Sequence, residues 1–136
     1  AYWIKKAADM VGINPRLLLT KLQSEEGLII GSESINPTEE DFAWAINAGN
    51  GDNFVDESKK GFPTQMMLGA KDFLWYWYTK AEEFNYTESV DGSSTKALNA
   101  ATFSLLKFTP HIIGNQVFYT VYKQFFGIGD LGGPTQ

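Results

Sequence analysis

The chain has 136 residues, a length that suits one domain. It contains no Cys and one His, His111, which excludes a disulfide scaffold, a Cys nucleophile and a metal site built from several His side chains. A net charge of −5 without a basic run argues against a nucleic-acid partner, and no stretch approaches the roughly 20 apolar residues of a membrane span. No cofactor is implied.

Three helices are predicted in the first half of the chain, because apolar residues recur there at helical spacing and residues of known capping preference flank them. They span residues 2–11, ended by Gly12; residues 14–27, opened by Asn14 and Pro15; and residues 39–48, capped by Thr38. Residues 31–38 are expected to form a loop. The chain enters the first helix without the long apolar stretch of a signal peptide, so we expect a domain of a larger protein.

The second half is predicted to hold a long helix, a small hairpin and two further helices. The segments are a loop at 49–61, a helix at 62–83, a turn at Asp91-Gly92, helices at 95–108 and 115–126, and a Gly- and Pro-rich tail from 127. The fold class is therefore mainly α, with about six helices and at most one small β-hairpin. We expect one domain over residues 1–127 and a tail or linker over 128–136.

Two adjacent carboxylates, Glu25 and Glu26, stand at the end of the second predicted helix. Glu25 lies three residues after Leu22 and seven after Leu18, so it projects beside the apolar stripe of that helix. A carboxyl against apolar groups loses solvation, which favours the protonated form that a general acid needs. Periodicity does not choose between the two carboxylates, and it leaves open a frayed last turn in which both are solvated.

The same helix carries a family resemblance. Residues 12–19 (Gly-Ile-Asn-Pro-Arg-Leu-Leu-Leu) and 22–29 (Leu-Gln-Ser-Glu-Glu-Gly-Leu-Ile) resemble the catalytic helix of soluble lytic transglycosylases and goose-type lysozymes. That helix ends in Glu-Ser-Gly, whose Glu is the catalytic acid. The family's Glu falls on Glu25, and Glu26 stands where the family has Ser. The resemblance thus selects Glu25.

Three later segments are similar to lysozyme-like domains of surface or secreted proteins of Gram-positive bacteria. They are 60–65 (Lys-Gly-Phe-Pro-Thr-Gln), 99–112 with Asn-Ala-Ala-Thr and Phe-Thr-Pro-His-Ile, and 114–127 with Gly-Asn and a closing Phe-Phe-Gly. Phe108 stands where those domains usually have Tyr. Together with the helix that carries Glu25, these segments extend the similarity over nearly the whole chain, about residues 2–127, and imply a lysozyme-like fold.

The resemblance implies a bacterial enzyme, extracellular or on the cell surface, that cleaves the β-1,4-linked glycan of peptidoglycan as a muramidase or lytic transglycosylase. Glu25 would protonate the leaving glycosidic oxygen and then act as a base. Two alternatives stay open: an N-acetylglucosaminidase of the same fold, and a non-catalytic domain that binds wall glycan or spaces other domains. The partner is an N-acetylglucosamine-containing glycan, and the domain is expected to be monomeric.

The residues expected to bind this glycan are Gln65, Trp44, Asp52, Phe62, Phe108 and His111. Gln65 corresponds to a Gln on the cleft floor of the superfamily, but it could equally be solvated. Trp44 is the better sugar platform among aromatics that are more often core residues, and His111 either caps and packs or takes part in the chemistry. A second carboxylate is not decided by the sequence; the candidates are Glu33, Glu39, Glu40, Asp41, Asp52 and Asp56.

Overall fold

A computed structural model describes residues 1–31, 36–51 and 53–127. The architecture is mainly helical with one small antiparallel sheet, so the predicted fold class is confirmed at this level. The elements are α1 (Tyr2–Val11), α2 (Pro15–Glu26), α3 (Glu39–Ala43), a 3₁₀ turn (Glu57–Lys59), α4 (Phe62–Trp75), β1 (Thr87–Val90), β2 (Ser93–Lys96), α5 (Ala100–Phe108) and α6 (Ile112–Phe126). The predicted tail, 128–136, lies outside the described residues.

The first two helices begin and end where their capping residues predict. Gly12 ends α1 in the left-handed conformation, with φ of 85°. At the start of α2 the side chain of Asn14 accepts a hydrogen bond from the backbone N–H of Arg16 at 3.0 Å, and Pro15 occupies the first helical position. Gly27 ends α2 with φ of 61°, so Glu25 lies in the last turn of a well-capped helix.

Helix α3 is shorter than the predicted 39–48. The predicted cap is confirmed, since Thr38 and Asp41 form a reciprocal capping box. The helix nevertheless ends at Ala43, because the N–H groups of Ile46 and Ala48 bond to a side chain of α4 and not to the preceding helical turn. Residues 46–51 thus form an irregular segment that α4 holds in place.

Helix α4 continues beyond its α-helical part, in agreement with the prediction of one helix over 62–83. A π-helical segment, Tyr76–Lys80, follows directly and is succeeded by a last α turn, Ala81–Glu83. Phe84 and Asn85 then lead the chain into the hairpin.

The predicted turn at Asp91-Gly92 joins β1 and β2, which pair antiparallel from Thr87 opposite Lys96 to Val90 opposite Ser93. Both turn residues have positive φ, 48° and 79°, as a two-residue hairpin turn requires. Because β2 extends to Lys96, helix α5 starts at Ala100 and not at the predicted 95. The side chain of Asn99 caps it.

Helix α6 starts at Ile112, three residues before the predicted start. The N–H of Ile112 donates to the side chain of Asp91 at 2.9 Å, so the hairpin turn supplies an acceptor to the helix start. A cap from a residue 21 positions away leaves no local signal in the sequence.

Helix α2 packs against α1, α4 and α6, and its apolar residues belong to two clusters of buried side chains. One cluster contains Leu18 and Leu22; the other joins Leu17 to Phe118 and Tyr122 of α6. A third cluster lies under the hairpin and α5. Helix α2 is therefore packed on two sides, and these contacts fix the position of its last turn. Within the described residues, no helix is long and apolar enough to cross a bilayer.

Candidate active site

The side chain of Glu25 opens onto a cleft of about 350 Å³. Two segments distant in sequence complete it: a loop side, residues 46–51, and a junction side, residues 108–111, where α5 passes into α6. The described residues that line the cleft are Glu25, Ile46, Asn47, Asn50, Gly51, Phe108, Thr109, Pro110 and His111. The structure thus brings Glu25, Phe108 and His111 together, as the sequence analysis expected, and adds the two Asn side chains.

The loop side is organised by hydrogen bonds among its polar side chains. Asn50 Nδ2 donates to Asn47 Oδ1 at 2.8 Å, and Asn50 Oδ1 accepts from the N–H of Asp56 at 3.0 Å. Asn47 has a positive φ of 54°, a conformation that Asn adopts more readily than most residues. These contacts present amide groups to the cleft, and amides can both donate to and accept from sugar hydroxyls.

The side chain of Gln65 forms hydrogen bonds with the backbone of the loop side and is not among the residues that line the cleft. It is completely buried, and its Oε1 accepts from the N–H groups of Ile46 at 3.3 Å and Ala48 at 2.9 Å. Its Nε2 donates to the carbonyls of Ala48 at 3.1 Å and Lys59 at 2.8 Å. The expectation that Gln65 lies near the surface and binds sugar is therefore wrong, because the amide is fully used by the backbone.

Asp91, in the hairpin turn, forms three hydrogen bonds with the junction side and the start of α6. Asp91 Oδ1 lies 2.9 Å from His111 Nδ1, Asp91 Oδ2 accepts from the N–H of Ile112, and the N–H of Asp91 donates to the carbonyl of Pro110 at 3.0 Å. The hydrogen bond from the N–H of Ile112, followed by that from His111, lowers the pKa of Asp91 below its ordinary value. Asp91, which the sequence analysis identified only as a turn residue, thus orients His111.

Phe108 contributes an aromatic surface to the junction side. Its ring stacks on Phe73 of α4, with centroids 4.8 Å apart and planes 13° apart, which fixes its orientation. Phe108 lines the same cleft as Glu25, and its contact with a sugar stays a prediction. Asn115 also steadies this segment, donating to the carbonyls of Thr109 at 2.7 Å and His111 at 2.9 Å.

A buried lysine that the sequence analysis missed lies behind the cleft. The side chain of Lys21 is only 1% exposed, and its Nζ donates to Glu25 Oε1 at 3.1 Å and to Thr109 Oγ1 at 2.6 Å. The ammonium also lies 4.6 Å from the ring centroid of Phe108. Burial lowers the pKa of Lys21, while the charge of Glu25 and its hydrogen bond oppose this shift.

The surroundings of Glu25 differ from the apolar stripe that periodicity predicted. Its side chain is 26% exposed and is paired with the ammonium of Lys21, one helical turn earlier. Burial raises the pKa of the neighbouring Glu26, and the negative charges of Asp41 and Glu25 raise it further. The prediction of an apolar environment for Glu25 is wrong because Lys21 occupies the same face of α2.

Two further predicted contact residues are absent from the described lining of the cleft. Trp44 ends α3 and donates from Nε1 to Glu40 Oε1 at 3.0 Å, while Phe62 packs edge-on against Phe42 with centroids 5.8 Å apart. Neither therefore forms the aromatic side of this cleft, a position taken by Phe108. Asp52 lies outside the described residues.

The candidates for a second carboxylate serve local structure where the structure describes them. Asp41 bonds back to the N–H of Thr38, Asp56 accepts from the N–H and hydroxyl of Ser58, and Glu40 pairs with Lys60 and accepts from Trp44. None of these, nor the exposed Glu39, lines the cleft. Glu33 and Asp52 lie outside the described residues.

The arrangement suits proton transfer, because one carboxyl and one imidazole line the same polar cleft. Within the described ranges no group of three or more His, Asp or Glu side chains could hold a metal ion.

Comparison of the chain with protein-family models, with curated proteins and with solved structures found no match.

Proposed function

We propose that the chain is a glycosidase domain of lysozyme-like arrangement that cleaves the β-1,4-linked glycan of bacterial peptidoglycan. One observation carries the proposal: Glu25, at the end of α2, opens onto a cleft whose other two sides come from residues 46–51 and 108–111. The resemblance of α2 to the catalytic helix of lytic transglycosylases and goose-type lysozymes supports the same assignment, as do Phe108 and His111 beside Glu25.

In this proposal Glu25 protonates the glycosidic oxygen as the bond to the leaving sugar breaks. The resulting carboxylate then takes a proton from the hydroxyl that attacks the sugar. Glu25 is the only carboxyl among the described lining residues. That fits the transglycosylase-type reaction implied by the resemblance, in which the substrate's N-acetyl group assists and its own 6-hydroxyl closes the ring.

The cleft also offers groups that can recognise a sugar. The amides of Asn47 and Asn50 can pair with hydroxyl and N-acetyl groups, and the ring of Phe108 can contact the apolar face of a pyranose. We assign the domain to the extracellular space or the cell surface of a bacterium, where peptidoglycan is accessible.

The test is loss of turbidity in a suspension of purified cell walls. Glu25→Gln keeps the shape of the side chain but cannot donate the proton, so lysis should fall by about 10²–10⁴-fold. Glu26→Gln is the matched control, because it removes a neighbouring carboxyl that does not line the cleft. Equal activity of wild type and Glu25→Gln, or a larger loss in Glu26→Gln, would contradict the assignment.

Mass spectrometry of the released fragments distinguishes the possible reactions. Anhydromuramyl ends identify a transglycosylase, reducing muramyl ends a muramidase, and reducing N-acetylglucosamine ends the alternative glucosaminidase. Wild-type protein that sediments with walls but releases no fragments would instead support a non-catalytic glycan-binding domain.

A further inference from the structure

Lys21 combines three features that are unusual for a lysine. It belongs to the largest side chains that are fully buried, it lies on the core-facing side of α2, and its ammonium contacts two cleft-lining residues on different elements. Burying an ammonium is costly unless it is paired and hydrogen-bonded. Here the partners are the carboxylate of Glu25, the hydroxyl of Thr109 and the rings of Phe108 and Phe118.

We propose that Lys21 is a positioning residue for Glu25, fixing the carboxylate in the cleft and stabilising its anionic form. The contact of 3.1 Å restricts Oε1, and the bond from Nζ to Thr109 anchors the ammonium to the junction side. One cation thereby links the two sides of the cleft that carry Glu25 and His111. Its bearing on catalysis rests on the proposed function, whereas its control of Glu25 does not.

The described residues place further charged and polar groups near Glu25 on each neighbouring element. On α2, the charge of Glu26 interacts with Glu25; on the junction side, His111 lines the same cleft and is bound to Asp91. The described residues of the loop side contribute Asn47 and Asn50, which carry no charge. Among the residues that the structure describes, Lys21 is thus a cation in direct contact with Glu25, so its removal should act directly on the Glu25 carboxylate.

For a glycosidase, Lys21 would affect Glu25 differently in the two steps of the reaction, in which Glu25 first donates a proton and then accepts one. A cation beside Glu25 stabilises the carboxylate left after proton donation, so it makes the protonated group a stronger acid in the first step and the carboxylate a weaker base in the second. Without that cation Glu25 should hold its first proton more readily, so we expect wall lysis by a Lys21 variant to extend to higher pH than lysis by wild type.

The experiment is an NMR titration of the Glu25 side-chain carboxyl in wild type, Lys21→Met, Lys21→Gln and Lys5→Met. Lys21→Met retains the length of the apolar stem, and Lys21→Gln retains a hydrogen-bond donor without the charge. Lys5→Met is the matched control, since Lys5 pairs with Asp9 at the same i, i+4 spacing but on the exposed surface of α1. Circular dichroism checks that each variant is folded.

We expect Glu25 to titrate at higher pH in both Lys21 variants than in wild type, because the positive charge in contact with its carboxylate has been removed, and at the wild-type pH in Lys5→Met. Wall lysis should extend to higher pH by the same amount. An unchanged titration of Glu25 in a folded Lys21 variant would overturn the inference and leave Lys21 a structural residue. If the titration moves but no form of the protein lyses walls, Lys21 controls Glu25 and the proposed function is the part that fails.

Discussion

Gln65 allows the sharpest prediction about stability, because its single side chain satisfies four backbone groups around the loop side. Gln65→Ala would leave the N–H groups of Ile46 and Ala48 and the carbonyls of Ala48 and Lys59 without this partner. At about 1 kcal/mol of net stability for each bond, the loss is about 3–5 kcal/mol, allowing for the long bond of 3.3 Å to Ile46. Such a loss is a large part of the roughly 5–15 kcal/mol that stabilises a typical domain.

The assay is urea and thermal unfolding followed by circular dichroism. For a chain of this length, 3–5 kcal/mol corresponds to a fall in Tm of roughly 10–20 °C. Gln116→Ala on the exposed face of α6 is the matched control and should change stability by less than about 0.5 kcal/mol. Were Gln65→Ala within about 1 kcal/mol of wild type, the hydrogen-bond argument would be refuted and a surface role for Gln65 would be restored.

Gln65→Glu separates hydrogen bonding from side-chain volume. At neutral pH its carboxylate would place an oxygen against the carbonyls of Ala48 and Lys59, where Nε2 now donates, so the loss should be at least as large as in the Ala variant. Stability should partly recover as the pH falls, because a protonated carboxyl can donate one of the two bonds.

Two further predictions concern charged residues beside the cleft. Because the pKa of Glu26 is raised, the folded protein binds more protons than the unfolded chain just above pH 4.5, so its stability falls as the pH rises through this window. Glu26→Gln should remove this pH dependence. It should raise stability at pH 7 by less than about 0.5 kcal/mol, since the side chain is partly solvated. Thermal unfolding between pH 4 and pH 8 checks the sign, and a steeper pH dependence in the variant would contradict it. Asp91→Asn keeps the turn conformation but weakens the hold on His111 and Ile112, so wall lysis should fall by up to about a hundredfold with only a small change in Tm. Full activity in this variant would show that the orientation of His111 does not matter.

The parts of the fold that were predictable depend on residues close together in sequence. Asn14 and Gly27 determine the ends of α2 and Thr38 caps α3, each through contacts across two to five positions, and Asp91-Gly92 joins two strands whose nearest partners, Val90 and Ser93, are three positions apart. Capping and turn preferences act at this range, so a single sequence contains the information. The position of Glu25 at the end of α2 follows from the same local signals.

The arrangement behind the cleft could not be predicted in this way, because its contacts join residues far apart in sequence. Lys21 and Thr109 are 88 positions apart, and Gln65 bonds to Ile46 across 19. One signal for Lys21 was present: it lies four residues after Leu17 and three after Leu18, on the apolar stripe of α2. A lysine in that position is usually expected to extend its charge to water, and only the packing of α6 and the junction side closes that route.

Burying the ammonium of Lys21 costs desolvation free energy, which suggests that the lysine at the end of α2 has a role other than stability. An ion pair with a partly exposed carboxylate returns less free energy than a fully desolvated one, since water competes for Glu25. An apolar side chain at position 21 would pack against Leu17, Phe108 and Phe118 without any desolvation of charge. Stability alone therefore favours a residue other than lysine here. What lysine adds is a cation, held by the hydroxyl of Thr109, at the one carboxylate among the described residues that opens onto the cleft. A carboxylate that works in proton transfer would use that property.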